Sequence, residues 1–185
     1  MNEIRAALQA DLPQLLSLIK AFYKEERLSF DSAVASRAVT ALTANPALGE
    51  MIVVQVDDEL VGYLALTFGH SIEYGGRDAF VDELYVRDEH RRAGHAARLL
   101  EHAMSVCRAN GVRALHLEVE NANAKARALY NRYEFVDHDR ILMTRLISHR
   151  DRRDAYLPVQ RNTLPQHPFT LRRESPAKLG RKHAP

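Results

Sequence analysis

Tryptophan is absent from this chain, cysteine occurs once (Cys107), and only 8 of 185 residues are glycine. A lone thiol excludes a disulfide framework within the chain and fits a reducing compartment. No apolar stretch approaches the ~18 residues a membrane span requires. The opening residues, MNEIRAALQADLPQLL, have no basic segment followed by an unbroken apolar run, so no secretory signal is expected. A cytoplasmic protein with no membrane association is the resulting expectation. No metal is expected either, because the 9 histidines are scattered, no H-E-x-x-H occurs and no cysteines can pair.

What is present supports one soluble domain with an appendage: 46% of residues are hydrophobic and 27% charged. The net charge of +2 is unevenly placed. Residues 148–185 hold nine Lys/Arg against three Asp/Glu, whereas residues 1–147 hold 17 against 21. The basic segment also holds most of the prolines and sustains no period of 2 or 3.6, so it reads as a flexible tail that cannot bury enough surface to offset its ordering entropy. Its arginines suit at most weak contact with nucleic acid or an acidic partner. The acidic body, 1–147, carries no nucleic-acid footprint.

The body alternates strand and helix signals. Residues 2–7 form a strand candidate. Asp11 then caps a helix to about Glu26, with Leu12, Leu15, Leu16, Ile19 and Phe22 on one face. A second helix follows Asp31–Ser32 and ends by Asn45–Pro46. MIVVQV and ELVGYLALTF, separated by Asp57–Asp58, read as a hairpin. Tyr74-Gly75-Gly76 turns the chain into a strand over 78–86. A helix covers about 94–110 with Ala96, Leu99, Leu100, Ala103 and Cys107 at helical spacing, and Asn110-Gly111 stops it. A strand over 112–120, a helix from Asn123 to Tyr133 and strand material at 135–146 complete the order β-α-α-β-β-β-α-β-α-β. This order predicts an antiparallel meander followed by a crossover to a parallel strand.

Between the 78–86 strand and the next helix lies HRRAGHAARLL, residues 90–100. Helix N-termini attract anions through unpaired N–H groups and the helix dipole, and two arginines add charge here. Gly94 keeps the approach to the main chain open. The stretch lacks the Gly-Lys-Ser/Thr of an NTP loop and the three spaced glycines of a dinucleotide loop.

R-x-x-G-x-A (Arg91, Gly94, Ala96) after DELYV resembles the acyl-CoA-binding motif Q/R-x-x-G-x-G/A of the GNAT superfamily of N-acetyltransferases. NAKARALYNRYEF is similar to that family's second motif, N-x-x-A-x-x-L-Y-x-x-x-G-F. Asn123, Ala126, Leu129, Tyr130 and Phe135 match it, and Glu134 stands where glycine is usual. The resemblance covers about residues 3–146. It implies an α/β (α+β) fold with a mixed central sheet of six to seven strands, about four flanking helices and splayed fourth and fifth strands. It also implies transfer of acetyl from acetyl-CoA to a primary amine, and homodimers are common among such proteins.

By the same resemblance, backbone N–H groups of Arg92, Ala93, Gly94, His95, Ala96 and Ala97 hold the CoA diphosphate, with charge from Arg91 and Arg92. Leu84, Tyr85 and Val86 offer main-chain groups to pantetheine, and Asn123 helps hold the cofactor arm. Tyr130 is the candidate acid for the CoA sulfur, since a phenol is protonated at neutral pH. The base is Asp82, directly or through a water, or else Glu83; adjacent strand residues face opposite sides. Tyr23, Glu26, Glu73 and Tyr74 are acceptor candidates, their acidic and aromatic character suiting a cationic amine such as a polyamine, an aminoglycoside-like molecule or a lysine. Two other readings stand beside the small-amine enzyme: a protein lysine or N-terminal acetyltransferase, and an acyl-CoA-binding sensor with little turnover.

Overall fold

MIVVQV and LVGYLAL are apolar with almost no alternation, the pattern of strands covered on both faces. The computed structural model, which describes residues 2–145 and residue 147, has that arrangement. Five strands lie in the order β1-β2-β3-β4-β5: β1 Asn2–Ala6, β2 Gly49–Val56, β3 Glu59–Ser71, β4 Gly76–Val86 and β5 Ala114–Leu117. β1 to β4 pair antiparallel, and β4 pairs parallel with β5. Helices α1 Leu12–Glu25 and α2 Ser32–Ala44 cover one face. Helix α3 His95–Ala109 covers the other, and α4 Ala124–Arg132 follows β5.

The two faces have separate cores. Met51, Val53, Tyr63 and Tyr85 pack with Leu15, Leu18 and Ile19 of α1. Ile52, Val54, Leu64 and Leu66 pack with Leu99, Leu100, Ala103 and Cys107 of α3. Leu18, rather than the expected Leu16, joins the fully buried stripe of α1. Among the described residues no helix is long and apolar enough to cross a membrane.

Three expectations are corrected. Asp31 caps α2 as foreseen, accepting from the N–H groups of Ala33 and Val34. Asp11, however, does not cap α1. Its carboxylate reaches back to the Leu8 N–H (2.7 Å) and accepts both arms of Arg5 (2.6 and 3.0 Å), pinning β1 to the start of α1. β5 is shorter than 112–120, because Val112 is spent closing α3 through its N–H to the Cys107 carbonyl. The strand foreseen at 135–146 is absent from 135–145, so the described sheet has five strands instead of six to seven. There the side chains are anchored locally, Asp137 to Arg127 and Arg140 to Glu73, while Ile141 and Met143 remain about nine-tenths exposed. The tail expected at 148–185 lies outside the described residues.

The Arg5–Asp11 pair generates a pH-linked prediction. Arg5 holds the Asp11 carboxyl below its ordinary range, against the opposing cost of burial. A depressed folded-state pKa contributes stability above the unfolded value, and that stability disappears as pH falls through the folded value. Asp11→Asn is expected to lose about 2 kcal/mol at pH 7. Urea denaturation at pH 7 and at pH 3 should show the gap to wild type closing at the lower pH; an unchanged gap contradicts the assignment.

Candidate active site

The site is centred on β4. This strand pairs with β3 as far as Val86, but with β5 only over Asp78–Val81. Among the described residues, 82–86 therefore present an edge with no strand beside it, and a cleft opens between β4, β5, α3 and α4. A β-bulge stands where the strands part: Glu83 lies opposite Ala65 and Val81 opposite Leu66, so Asp82 is the extra residue. Bulges re-aim side chains. Before this one Ala79 and Val81 face α3; after it Leu84 and Val86 do, while Glu83 and Tyr85 turn toward α1.

The two adjacent carboxylates consequently meet different surroundings. Asp82 is open to the cleft, yet the protein around it displaces enough water to raise its pKa. Glu83 is buried deeper and is also raised, although the Tyr63 hydroxyl donates to it at 2.6 Å and the Tyr23 hydroxyl donates as well. Tyr63 was not foreseen from sequence; it reads there as one more core aromatic of β3. Tyr85 places its ring among Phe22, Tyr63 and Arg91, so only its main chain is available to the cleft edge.

Beyond β4 the chain makes one 3-10 turn, Asp88–His90, and enters α3. Gly94 is the N-cap residue with φ 82°, and Arg92 has φ 66°. A Cβ on Gly94 would meet no protein atom within 4 Å. Glycine is thus required here for the left-handed backbone, and the space before it is open. The first main-chain bond of α3 runs from Arg98 N–H to the Gly94 carbonyl (3.1 Å), so the N–H groups of His95, Ala96 and Ala97 have no helical acceptor. Arg92 and Ala93 are exposed beside them.

Arg91 is engaged differently from expectation. Its guanidinium donates to Glu25 (2.6 Å) and to the Val86 carbonyl (2.8 Å), approaches Asp88 and lies 5.6 Å from the Tyr85 ring centre. The charge foreseen for a phosphate is balanced by carboxylates of this chain, and Arg91 joins the end of α1 to the loop. Glu25, its main partner, was missed because nothing in sequence distinguishes it from Glu26.

On the far wall, Asn123 caps α4, its side-chain oxygen accepting from the Ala126 N–H (3.0 Å) and leaving its NH₂ free to donate. Tyr130 packs edge-on against Phe135 (5.8 Å), and burial raises its pKa, keeping the phenol protonated. The end of α4 explains the departure at Glu134. Phe135 N–H donates to the Tyr130 carbonyl and Glu134 N–H to that of Asn131, a Schellman motif with Glu134 at the left-handed position, φ 64°.

The four acceptor candidates divide into two pairs. Tyr23 reaches the site through Glu83, and Glu26 lines the cleft, where burial and the nearby Glu120 and Glu25 raise its pKa. Glu73 and Tyr74 lie at the opposite end of β4. Glu73 is held by both arms of Arg140 (3.1 Å each), which lowers its pKa, and Tyr74 packs on His116 (5.2 Å). Glu26, Glu73 and Tyr74 nevertheless line one and the same cleft.

The acetyltransferase (GNAT) family model matches residues 14–135. An integron cassette protein from the mobile metagenome of Cole Harbour Salt Marsh is 34% identical, with TM-score 0.71 over 79% of this chain and 91% of its own. The ribosomal-protein-alanine N-acetyltransferase of Brucella melitensis biovar Abortus 2308 is 20% identical, with TM-score 0.65 over 79% and 99%. AAC(6')-Iy, in complex with a bisubstrate analogue, CoA-S-monomethyl-acetylneamine, is 14% identical, with TM-score 0.69 over 80% and 99%. The last two are likenesses of fold. No curated protein matches the chain.

The left-handed Glu134 yields a stability prediction. A side chain at positive φ costs about 1 kcal/mol relative to glycine. Glu134→Gly should therefore raise the urea midpoint by the equivalent of about 1 kcal/mol; a lowered midpoint would contradict the role given to this φ.

Proposed function

This chain belongs to the acetyltransferase (GNAT) family, and on that premise we propose that it transfers acetyl from acetyl-CoA to the primary amine of a small cationic acceptor. The observation that carries the reading is a single cleft lined by the start of α3, by Asp82 and by Tyr130. Residues present there fit the nucleotide: unpaired N–H groups at a helix start, a glycine at φ 82° with open space before it, and a strand edge without a neighbour.

In this mechanism the N–H groups of residues 92–97 hold the diphosphate, with Arg92 adding charge. The free edge over Leu84–Val86 pairs with the pantetheine arm, and the Asn123 NH₂ donates to the same arm. Asp82, directly or through a water, takes a proton from the ammonium form of the acceptor, since only a neutral amine has a lone pair to attack with. As the amine nitrogen bonds to the acetyl carbon, the carbon–sulfur bond breaks and the Tyr130 hydroxyl protonates the departing sulfur. Glu83 is fixed by Tyr63 and Tyr23 on the acceptor side of β4. Glu26, with Glu25 and Glu120 nearby, supports a cationic acceptor, because burial first and then the repulsion of these carboxylates raise its pKa, and an incoming positive charge relieves the repulsion.

Thiol release from acetyl-CoA, monitored over a panel of polyamines, aminoglycosides, neutral amines and peptides, is expected to favour the small multiply charged amines. Binding of CoA with no release for any of them would support a sensor instead. Gly94→Glu is expected to abolish acetyl-CoA binding in calorimetry, and retained affinity would overturn the loop assignment. Tyr130→Phe should reduce kcat on the order of 10²-fold while acetyl-CoA affinity holds. A carboxylate base works only when deprotonated, so kcat/KM should fall as pH drops through the raised Asp82 pKa. Asp82→Asn should remove that limb; if the limb persists, another group is the base.

A further inference from the structure

His95, the first residue of α3, is 4% exposed, and its Nδ1 is a buried polar atom with no hydrogen-bond partner. Buried polar atoms are nearly always satisfied, so an orphan at a candidate site calls for a partner from outside the chain. His95 is the first residue of the helix whose opening N–H groups lack acceptors, and it and His90, whose ring centres are 6.4 Å apart, are among the residues lining the cleft. The groups acting on it carry positive charge or none: Arg98 from its own helix and His90 from the preceding turn. The neighbouring Arg91 is turned to Glu25 and Asp88, and Arg92 is exposed on the loop. Among the described residues no carboxylate acts on the ring, so an anion arriving at the helix start would bring negative charge to it.

We propose that the His95 side chain is a further ligand of the anion bound at the start of α3, taking up a proton when a diphosphate binds and so making affinity pH-dependent. The inference rests on the cofactor reading above and goes beyond it, because the main-chain N–H groups alone bind no proton. The direction follows from the surroundings. Burial first, then the neighbouring Arg98 and His90, hold the free imidazole below its ordinary pKa, so it is neutral at pH 7. A phosphate oxygen beside it favours the charged form and raises the pKa. Between the two values, binding draws a proton from solution, and affinity strengthens as pH falls. Protonated, the ring has both nitrogens as donors, so Nδ1 gains a use it lacks in the free protein.

Calorimetry of the full chain with dephospho-CoA tests this. That probe keeps the diphosphate and lacks the 3′-phosphate, whose own titration would confuse the proton count. Titrations at pH 6.5 in PIPES and in imidazole, which differ in ionisation enthalpy, report protons taken up. Wild type is expected to take up a fraction of a proton and to bind about three- to tenfold more tightly at pH 6 than at pH 8, as a shift of up to about one pKa unit gives. His95→Gln keeps a donor without a titration, and should bind with no proton uptake and a flat pH profile. His95→Asn should behave alike and serves if the first variant fails to fold. Uptake that persists in either folded variant, or that vanishes only in His90→Gln, overturns the proposal. Binding by wild type without uptake overturns it while leaving the cofactor site intact. Absence of binding at every pH overturns the cofactor reading itself.

Discussion

β4 outlasts its parallel neighbour. From Asp82 onward it has β3 on one side and, among the described residues, no strand on the other, and the features of the site are arranged around that half-free strand. A strand in mid-sheet would have both edges satisfied and no room for a ligand. Here the early end of β5 leaves residues 82–86 without a described strand partner on that edge and opens a path to the first turn of α3. The bulge at Asp82 turns one carboxylate into the opening, while its neighbour Glu83 is clamped by tyrosines on the other face. Two acids adjacent in sequence thereby acquire different accessibility.

Of the four described non-glycine residues with left-handed φ, Arg27 and Asp57 lie in turns elsewhere and two stand at the walls of this opening. Arg92 and Glu134 both adopt left-handed φ without being glycine, one in the loop entering α3 and the other at the close of α4. Non-glycine residues hold such conformations only where their surroundings over-determine them. For Glu134 the surroundings are visible as the two Schellman hydrogen bonds and the Tyr130–Phe135 contact. The same contact orients Tyr130, so the cap that strains Glu134 also fixes a candidate catalytic phenol. On the other wall, Arg91 serves as a strut between the end of α1 and the loop.

Much of this was legible in the chain and some was not, for definable reasons. Local chemistry was readable: the Asp57–Asp58 turn, the Asp31 cap, the apolar stripe of α3 and its stop at Gly111 depend on residues close in sequence. Two motifs at the right spacing located the family, now matched over 14–135. Pairings between distant segments were not readable. Asp11 looked like a helix cap because its bond to Arg5 depends on the fold, and Arg91 looked free because Glu25 lies 66 positions away. The bulge leaves no sequence signature, since DELYV alternates equally well with or without it. The 135–146 stretch has strand-like composition only over Ile141–Thr144, and through residue 145 it forms no ladder in the described structure.

The central claim is that the half-free edge of β4 and the unsatisfied amides of α3 together form one nucleotide site. A crystal structure of the protein with CoA tests it most directly. The account predicts the diphosphate within hydrogen-bonding distance of the His95, Ala96 and Ala97 N–H groups, and the pantetheine arm alongside residues 82–86. Well-ordered CoA bound elsewhere, with this corner empty, would contradict it.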